Sequence, residues 1–214
     1  MNSLKPIKLL PTRERVASAL RKAIFTKELS EGTTITLDEI ASQLEVSNTP
    51  VREAFQILCR EGLITQRPNK VAEVLGISRK FIQDHYETRA ILESICAGAV
   101  CRNGGDIGDI ENVHERSKEI LAAGDVAGYS NCNQALHFAI WEAAGNHKMK
   151  SMLADLWNGF SLGHLVTEED YAKVSIVEHA EIVGAIVSRN EQLAKEFMYA
   201  HLIRSMNDVL TNFS

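Results

Sequence analysis

The segment from Leu37 to Leu63, LDEIASQLEVSNTPVREAFQILCREGL, constrains the fold more than any other part of the chain. Leu37, Ile40, Ala41 and Leu44 recur at helical spacing, and Val51, Ala54, Phe55 and Leu58 do so again. Between these runs lies Glu45-Val46-Ser47-Asn48, and Ser47 or Thr49 can cap the second helix. Pro50 is tolerated only in a first helical turn, where a missing N–H costs no intrahelical bond. Ala41 is small where the first helix must approach the second. Two short helices with a tight break form a helix-turn-helix, whose second helix would lie in a DNA major groove.

The flanking sequence completes a small domain. Val16, Leu20 and Ile24 predict a first helix over Thr12–Lys27, and Glu31-Gly32-Thr33-Thr34 predicts a turn. Leu63–Val74 reads as two β-prone pieces around a Pro68-Asn69 turn. Three helices and a hairpin make a winged helix-turn-helix. Leu75-Gly76-Ile77-Ser78 reads as a linker. Beyond it, six helices are expected at about 79–102, 107–123, 126–144, 147–165, 168–188 and 191–211, with Gly and Asn as terminators at the breaks. The expected fold is mainly α, with a winged helix-turn-helix over residues 1–76 and an all-α six-helix bundle over 77–214.

Charge supports a division of labour. Residues 1–76 hold 11 basic and 9 acidic side chains, and the remainder hold 12 and 19. A mildly basic front and an acidic back suit a DNA-reading module joined to a domain that avoids DNA. The four cysteines form no CxxC pair and suit reduced, mostly buried thiols. The N-terminus lacks the apolar core of a signal peptide, and no run approaches the roughly 18 apolar residues of a membrane span. A soluble, cytoplasmic protein without a membrane partner is expected.

Of seven histidines, three are placed by helical geometry. His179 and His201 each lie 11 positions from a turn near Asn190. At a rise of about 1.5 Å per residue they sit side by side on antiparallel helices. His179 is followed at i+3 and i+4 by Ile182 and Val183, and Phe197 precedes His201 by four, so both imidazoles face the interior. His137 shares a face with Asn133, four residues earlier. One amide oxygen and three imidazoles converging in a bundle can bind a divalent metal, with zinc or nickel the best matches. The same residues also suit hydrogen-bonded core positions, or direct contact with a carboxylate.

Ser47-Asn48-Thr49-Pro50-Val51-Arg52-Glu53-Ala54, followed by Leu58 and Glu61-Gly62-Leu63, resembles the GntR family of bacterial transcriptional regulators. Tyr86–Glu93, Asn133-Gln134-Ala135-Leu136-His137, Ala144-Gly145-Asn146, Glu178-His179 and His201 resemble its FadR-like branch with an FCD effector domain. Six bundle helices fit the VanR-like subgroup. The resemblance implies a homodimer on a near-palindromic operator of double-stranded DNA, with a small carboxylate effector in the bundle. It implies metal ligation by Asn133, His137, His179 and His201, and an effector contact from Arg89 as well as from those histidines. Arg89 alternatively pairs with Glu93 at i+4. Arg52 would anchor the recognition helix, Ser47, Asn48 and Thr49 would meet phosphate or bases, and Arg67 and Lys70 would serve the wing.

The chain departs from the family pattern at four positions. Asn48 and Asp38 stand where the family often has arginine, so a groove contact is lost, Asp38 opposes phosphate, and Asn48 can read an adenine edge instead. Val71 replaces a wing glycine. Asn133 replaces an aspartate, and a neutral amide is the weaker ligand. A metal-dependent enzyme built on His137, His179 and His201 is the alternative from another class, but it lacks a general base. Glu178, adjacent to His179, is expected to point away.

Overall fold

The structure, a computed structural model, describes residues 11–67, 71–159 and 168–213. The chain divides into two compact units, Met1–Ser78 and Arg79–Ser214. The Pro68-Asn69 turn, Lys70, His164 and the expected helix end near Leu165 lie outside the described residues.

The first unit runs α1 (Thr12–Phe25), β1 (Thr34–Thr36), α2 (Leu37–Gln43), α3 (Asn48–Arg60), β2 (Ile64–Arg67) and β3 (Val71–Val74). Its core is the apolar face read from the sequence: Val16, Leu20 and Ile24 on α1 meet Val51, Ala54, Phe55 and Leu58 on α3, all buried. Burying a Phe or Leu side chain contributes about 1.5–3 kcal/mol. Arg21 on α1 donates from Nε and Nη2 to both carboxylate oxygens of Glu61, at 2.8 and 2.5 Å, tying α1 to the exit of α3.

The sheet corrects the sequence reading, which had only a hairpin. The expected turn ends in strand β1, and the antiparallel order is β1-β3-β2, with Ile35 opposite Ala72 and Ile64 opposite Val74. Three residues are too short to carry an alternation signal. Thr36 closes β1 and caps α2: its hydroxyl accepts from Glu39 N–H while the Glu39 carboxylate accepts from Thr36 N–H at 2.9 Å. This reciprocal capping box was legible as Thr-x-x-Glu. Ser47 does occupy the N-cap of α3, but its side chain makes no capping bond. The break between α2 and α3 turns on Glu45, held at φ +52°.

The second unit holds α4 (Arg79–Asn103), α5 (Gly108–Ala122), α6 (Val126–Ala143), α7 (His147–Gly159), α8 (Glu168–Val187) and α9 (Glu191–Asn212). The expected mainly-α class is found, with six bundle helices among the described residues. α4 and α9 run antiparallel: Arg79 donates to the Leu210 carbonyl at one end, and Arg102 pairs with Glu191 at the other. Gly98 lets the Lys195 stem cross α4, since a Cβ there would stand 2.4 Å from Lys195 Cε. Between α8 and α9 the left-handed residue is Arg189 (φ +55°), not Asn190, which instead caps α9 by accepting from Leu193 N–H. The four cysteines are free, and Cys96, Cys101 and Cys132 are buried. Among the described residues, no helix is long and apolar enough to cross a membrane.

Candidate functional site

Helices α6, α8 and α9 bring His137, His179 and His201 together. Ring centroids are 5.5 Å apart for His137–His179, 5.4 Å for His137–His201 and 4.7 Å for His179–His201. One ligand nitrogen from each lies within 4.8 Å of the other two, and all three residues are at most 2% exposed.

Two of the imidazoles are oriented by carboxylates. His137 Nδ1 lies 2.5 Å from Glu93 on α4, and His201 Nδ1 lies 2.7 Å from Glu178 on α8. An Nδ1–H donated to a carboxylate fixes the tautomer and leaves the Nε2 lone pair for another partner. Each carboxylate is held in turn by an arginine. Arg89 donates to Glu93 from Nε at 2.8 Å, and Arg204 donates to Glu178 from Nε at 2.9 Å. The cluster is therefore flanked by two Arg–Glu–His chains. Trp141 Nε1 also donates to Glu93, and the Trp157 ring lies 4.5 Å from the Arg89 guanidinium. Arg204 is steadied further by Asp208, by the Ser175 hydroxyl and by the Tyr171 ring.

His179 differs from the other two. Its Nδ1 is 3.5 Å from the Tyr129 hydroxyl, while its buried Nε2 has no partner. Asn133 Oδ1, one turn before His137, is likewise buried without a partner. Burying such atoms unsatisfied costs about 1–3 kcal/mol each. An orphaned imidazole nitrogen, an orphaned amide oxygen and two pre-oriented imidazoles match the donors of a borderline dication, so the residues fit a metal.

Burial keeps the His179 and His201 imidazoles neutral. Burial drives His179 well below the ordinary histidine range, with His201 and His137 adding to the shift. Burial takes His201 down to about 4 despite the opposing hydrogen bond to Glu178. Burial would raise Glu93, but Arg89 and His137 outweigh it and hold the carboxyl at about 2. Glu178 also stands at about 2: burial raises it, and the bonds from Arg204 and His201 prevail. Neutral imidazoles beside ionised carboxylates are the protonation state that ligates metal.

One sequence reading of this region changes. Glu178 does not point away from the cluster; it reaches across to His201 on the neighbouring helix. Arg89 makes the expected i+4 pair with Glu93 and is 4% exposed. Arg204 and the bracing roles of Glu93 and Glu178 were missed.

The DNA-facing candidates collect on α3 and the wing. Ser47, Thr49 and Arg52 are exposed around the first turns of α3, and Asn48 is half-buried. Asn48 Nδ2 donates to Asp38 Oδ1 on α2 at 2.7 Å. Arg67, at the end of β2, is exposed and pairs with Glu73.

The model of the bacterial regulatory proteins of the gntR family matches residues 12–83, and that of the FCD domain matches residues 84–204. The chain is 27% identical over 179 residues to the Nta operon transcriptional regulator of Aminobacter aminovorans, covering 80% of this chain and 82% of that one. Its fold is similar to that of E. coli McbR/YncC, with a TM-score of 0.71 and 16% identity over 96% of this chain and all of that one. It is also similar to a metal-free FCD domain of TM0439, with a TM-score of 0.57 and 21% identity over 64% of this chain and 96% of that one.

Proposed function

For a chain that belongs to the GntR family and carries its FCD domain, hence a DNA-binding transcriptional regulator and not an enzyme, we propose a cytoplasmic homodimer that releases or grips a near-palindromic operator according to a small carboxylate bound in the bundle. One observation supports this most: a buried cluster of three histidines, braced by two Arg–Glu–His chains, in the same chain as a winged helix-turn-helix.

Asn133, His137, His179 and His201 would hold a divalent metal, zinc or nickel by ligand type. A metal held there supplies a positive pole that a carboxylate can complete. Asn133 brings no charge, so the four ligands are neutral together and leave the cation's charge to an anion. Arg89, whose charge Glu93 balances, would contact the effector's carboxylate through the guanidinium N–H groups that Glu93 does not take. In the head, Arg52 anchors α3, Ser47, Asn48 and Thr49 meet phosphate or bases, and Arg67 and Lys70 serve the wing. The effector acts only through a difference in affinity for the DNA-competent and incompetent dimers.

The decisive measurement is fluorescence anisotropy on the DNA flanking the protein's own gene, over a range of salt, with and without zinc and a panel of small carboxylic acids. Specific binding that one acid class shifts is expected. No specific binding at any moderate salt concentration would sink the operator assignment, and binding indifferent to every acid and metal would sink the effector assignment. Elemental analysis of protein purified without a chelator is expected to find close to one metal per chain. Its absence would favour direct contact between imidazoles and carboxylate.

A further inference from the structure

Asp38 and Asn48 are ten residues apart in sequence, on opposite sides of the turn between α2 and α3, and their side chains meet at 2.7 Å. Asn48 is the first residue of α3, at the end of a recognition helix that reaches base edges. We infer that the two act as one unit that selects adenine over guanine at one position of each half-site, with Asn48 as the reader and Asp38 as its positioning residue. The inference rests on the DNA-reading role assigned to α3 above.

The argument is one of donors and acceptors. An asparagine amide offers two N–H donors and one carbonyl acceptor. A carboxylate accepts only, so Asp38 can face the amide's nitrogen and never its oxygen. This fixes which way the amide points, a choice otherwise free to flip. One donor is then committed to Asp38, and one donor and one acceptor stay available. Adenine presents that complement in the major groove, an N7 acceptor beside an N6 donor. Guanine presents two acceptors, N7 and O6, one of which would meet the Asn48 oxygen. The Asp38 carboxylate opposes the acceptor-rich guanine edge as well. It also opposes phosphate, so it lowers affinity for every duplex and makes binding depend more heavily on the correct base.

The test is selection of the full-length protein on a randomised double-stranded DNA library, followed by anisotropy on the selected duplexes. The wild type is expected to enrich a two-part motif in which one position of each half favours adenine over guanine by about tenfold or more. Asn48→Ala is expected to flatten that position alone. Asp38→Ala is expected to cut the preference to a few-fold while raising affinity for all duplexes. Asp38→Ala combined with Asn48→Arg is expected to convert the position to guanine. Asp38 is exposed and Asn48 half-buried, neither belongs to the buried core, and each substitution checks the other. The inference is overturned by a motif that Asn48→Ala leaves unchanged, by guanine at the position that variant affects, or by a preference that Asp38→Ala does not weaken. A wild type that enriches no sequence overturns the DNA-reading role itself, and this inference with it.

Discussion

Glu93 and Glu178 each join an arginine to a histidine of the cluster, but they do so in different media. The Glu93 side chain is wholly out of water, as are Arg89 at 5% and His137 at 2% exposure, whereas Glu178 and Arg204 are each about a fifth exposed. In the inner chain, a missing partner leaves a charge stranded in a low dielectric, which is far more costly than the bond itself was favourable. In the outer chain, water can replace a missing partner. The same three residue types thus form a fixed support between α4 and α6 and a more yielding one between α8 and α9.

Removing the carboxylates should expose this asymmetry most strongly. Glu93→Ala leaves Arg89 buried and unpaired, and is expected to destabilise by about 3–5 kcal/mol. Glu178→Ala, where water reaches Arg204, is expected to cost about 1–2 kcal/mol. Urea unfolding of both variants measures the difference, and equal losses would erase the distinction between inner and outer chains.

Acid should act on both chains. His201 titrates near 4 in the fold and near 6.5 when unfolded, so the unfolded state binds the extra proton between these values. Stability from this group is full above about pH 6.5 and falls as pH drops towards 4, by about 3 kcal/mol at most. His179, also lowered, acts in the same direction. Below about pH 4.5 the two carboxylates begin to lose their contribution as they protonate towards 2. Thermal melts of metal-stripped protein should therefore decline steadily below neutrality. A melting temperature unchanged from pH 7 to 5 would contradict neutral, buried imidazoles.

Metal binding sharpens the comparison further. His179→Ala removes the orphaned nitrogen and is expected to abolish stoichiometric metal. Asn133→Asp supplies a charged ligand and is expected to tighten metal binding roughly tenfold or more, about 1.4 kcal/mol, read by competition with a chromogenic chelator. No gain on Asn133→Asp would place the amide outside the ligand set. The smallest expected effect lies in the head, where Thr36→Ala removes the cap of α2 at a cost of about 1 kcal/mol.

The sequence made the cluster legible because helical spacing is rigid: counting from the α8–α9 turn sets His179 beside His201, and the rings are 4.7 Å apart. The same count sets residue 178 beside 201 and 202, so the Glu178–His201 bond was within reach. Adjacency to His179 in sequence turns Glu178 off that residue's face, but the contact that matters runs across the helix pair to His201. Arg204 was missed for the same reason. Glu93 was legible only as a partner of Arg89 at i+4, because its reach to His137 depends on how α4 packs on α6, which no local pattern encodes. In the head, apolar periodicity located all three helices. β1 went unseen because three residues carry no period, and the Asp38–Asn48 bond because it spans a turn whose geometry depends on Glu45 in a left-handed conformation.

Thr36 is at once the last residue of β1, paired with Val71 of the wing, and the cap that starts α2. No linker lies between sheet and helix, so there is no slack in which a displacement could be absorbed. A shift of β3 therefore reaches α2, which carries Asp38, through Thr36 with no intervening loop.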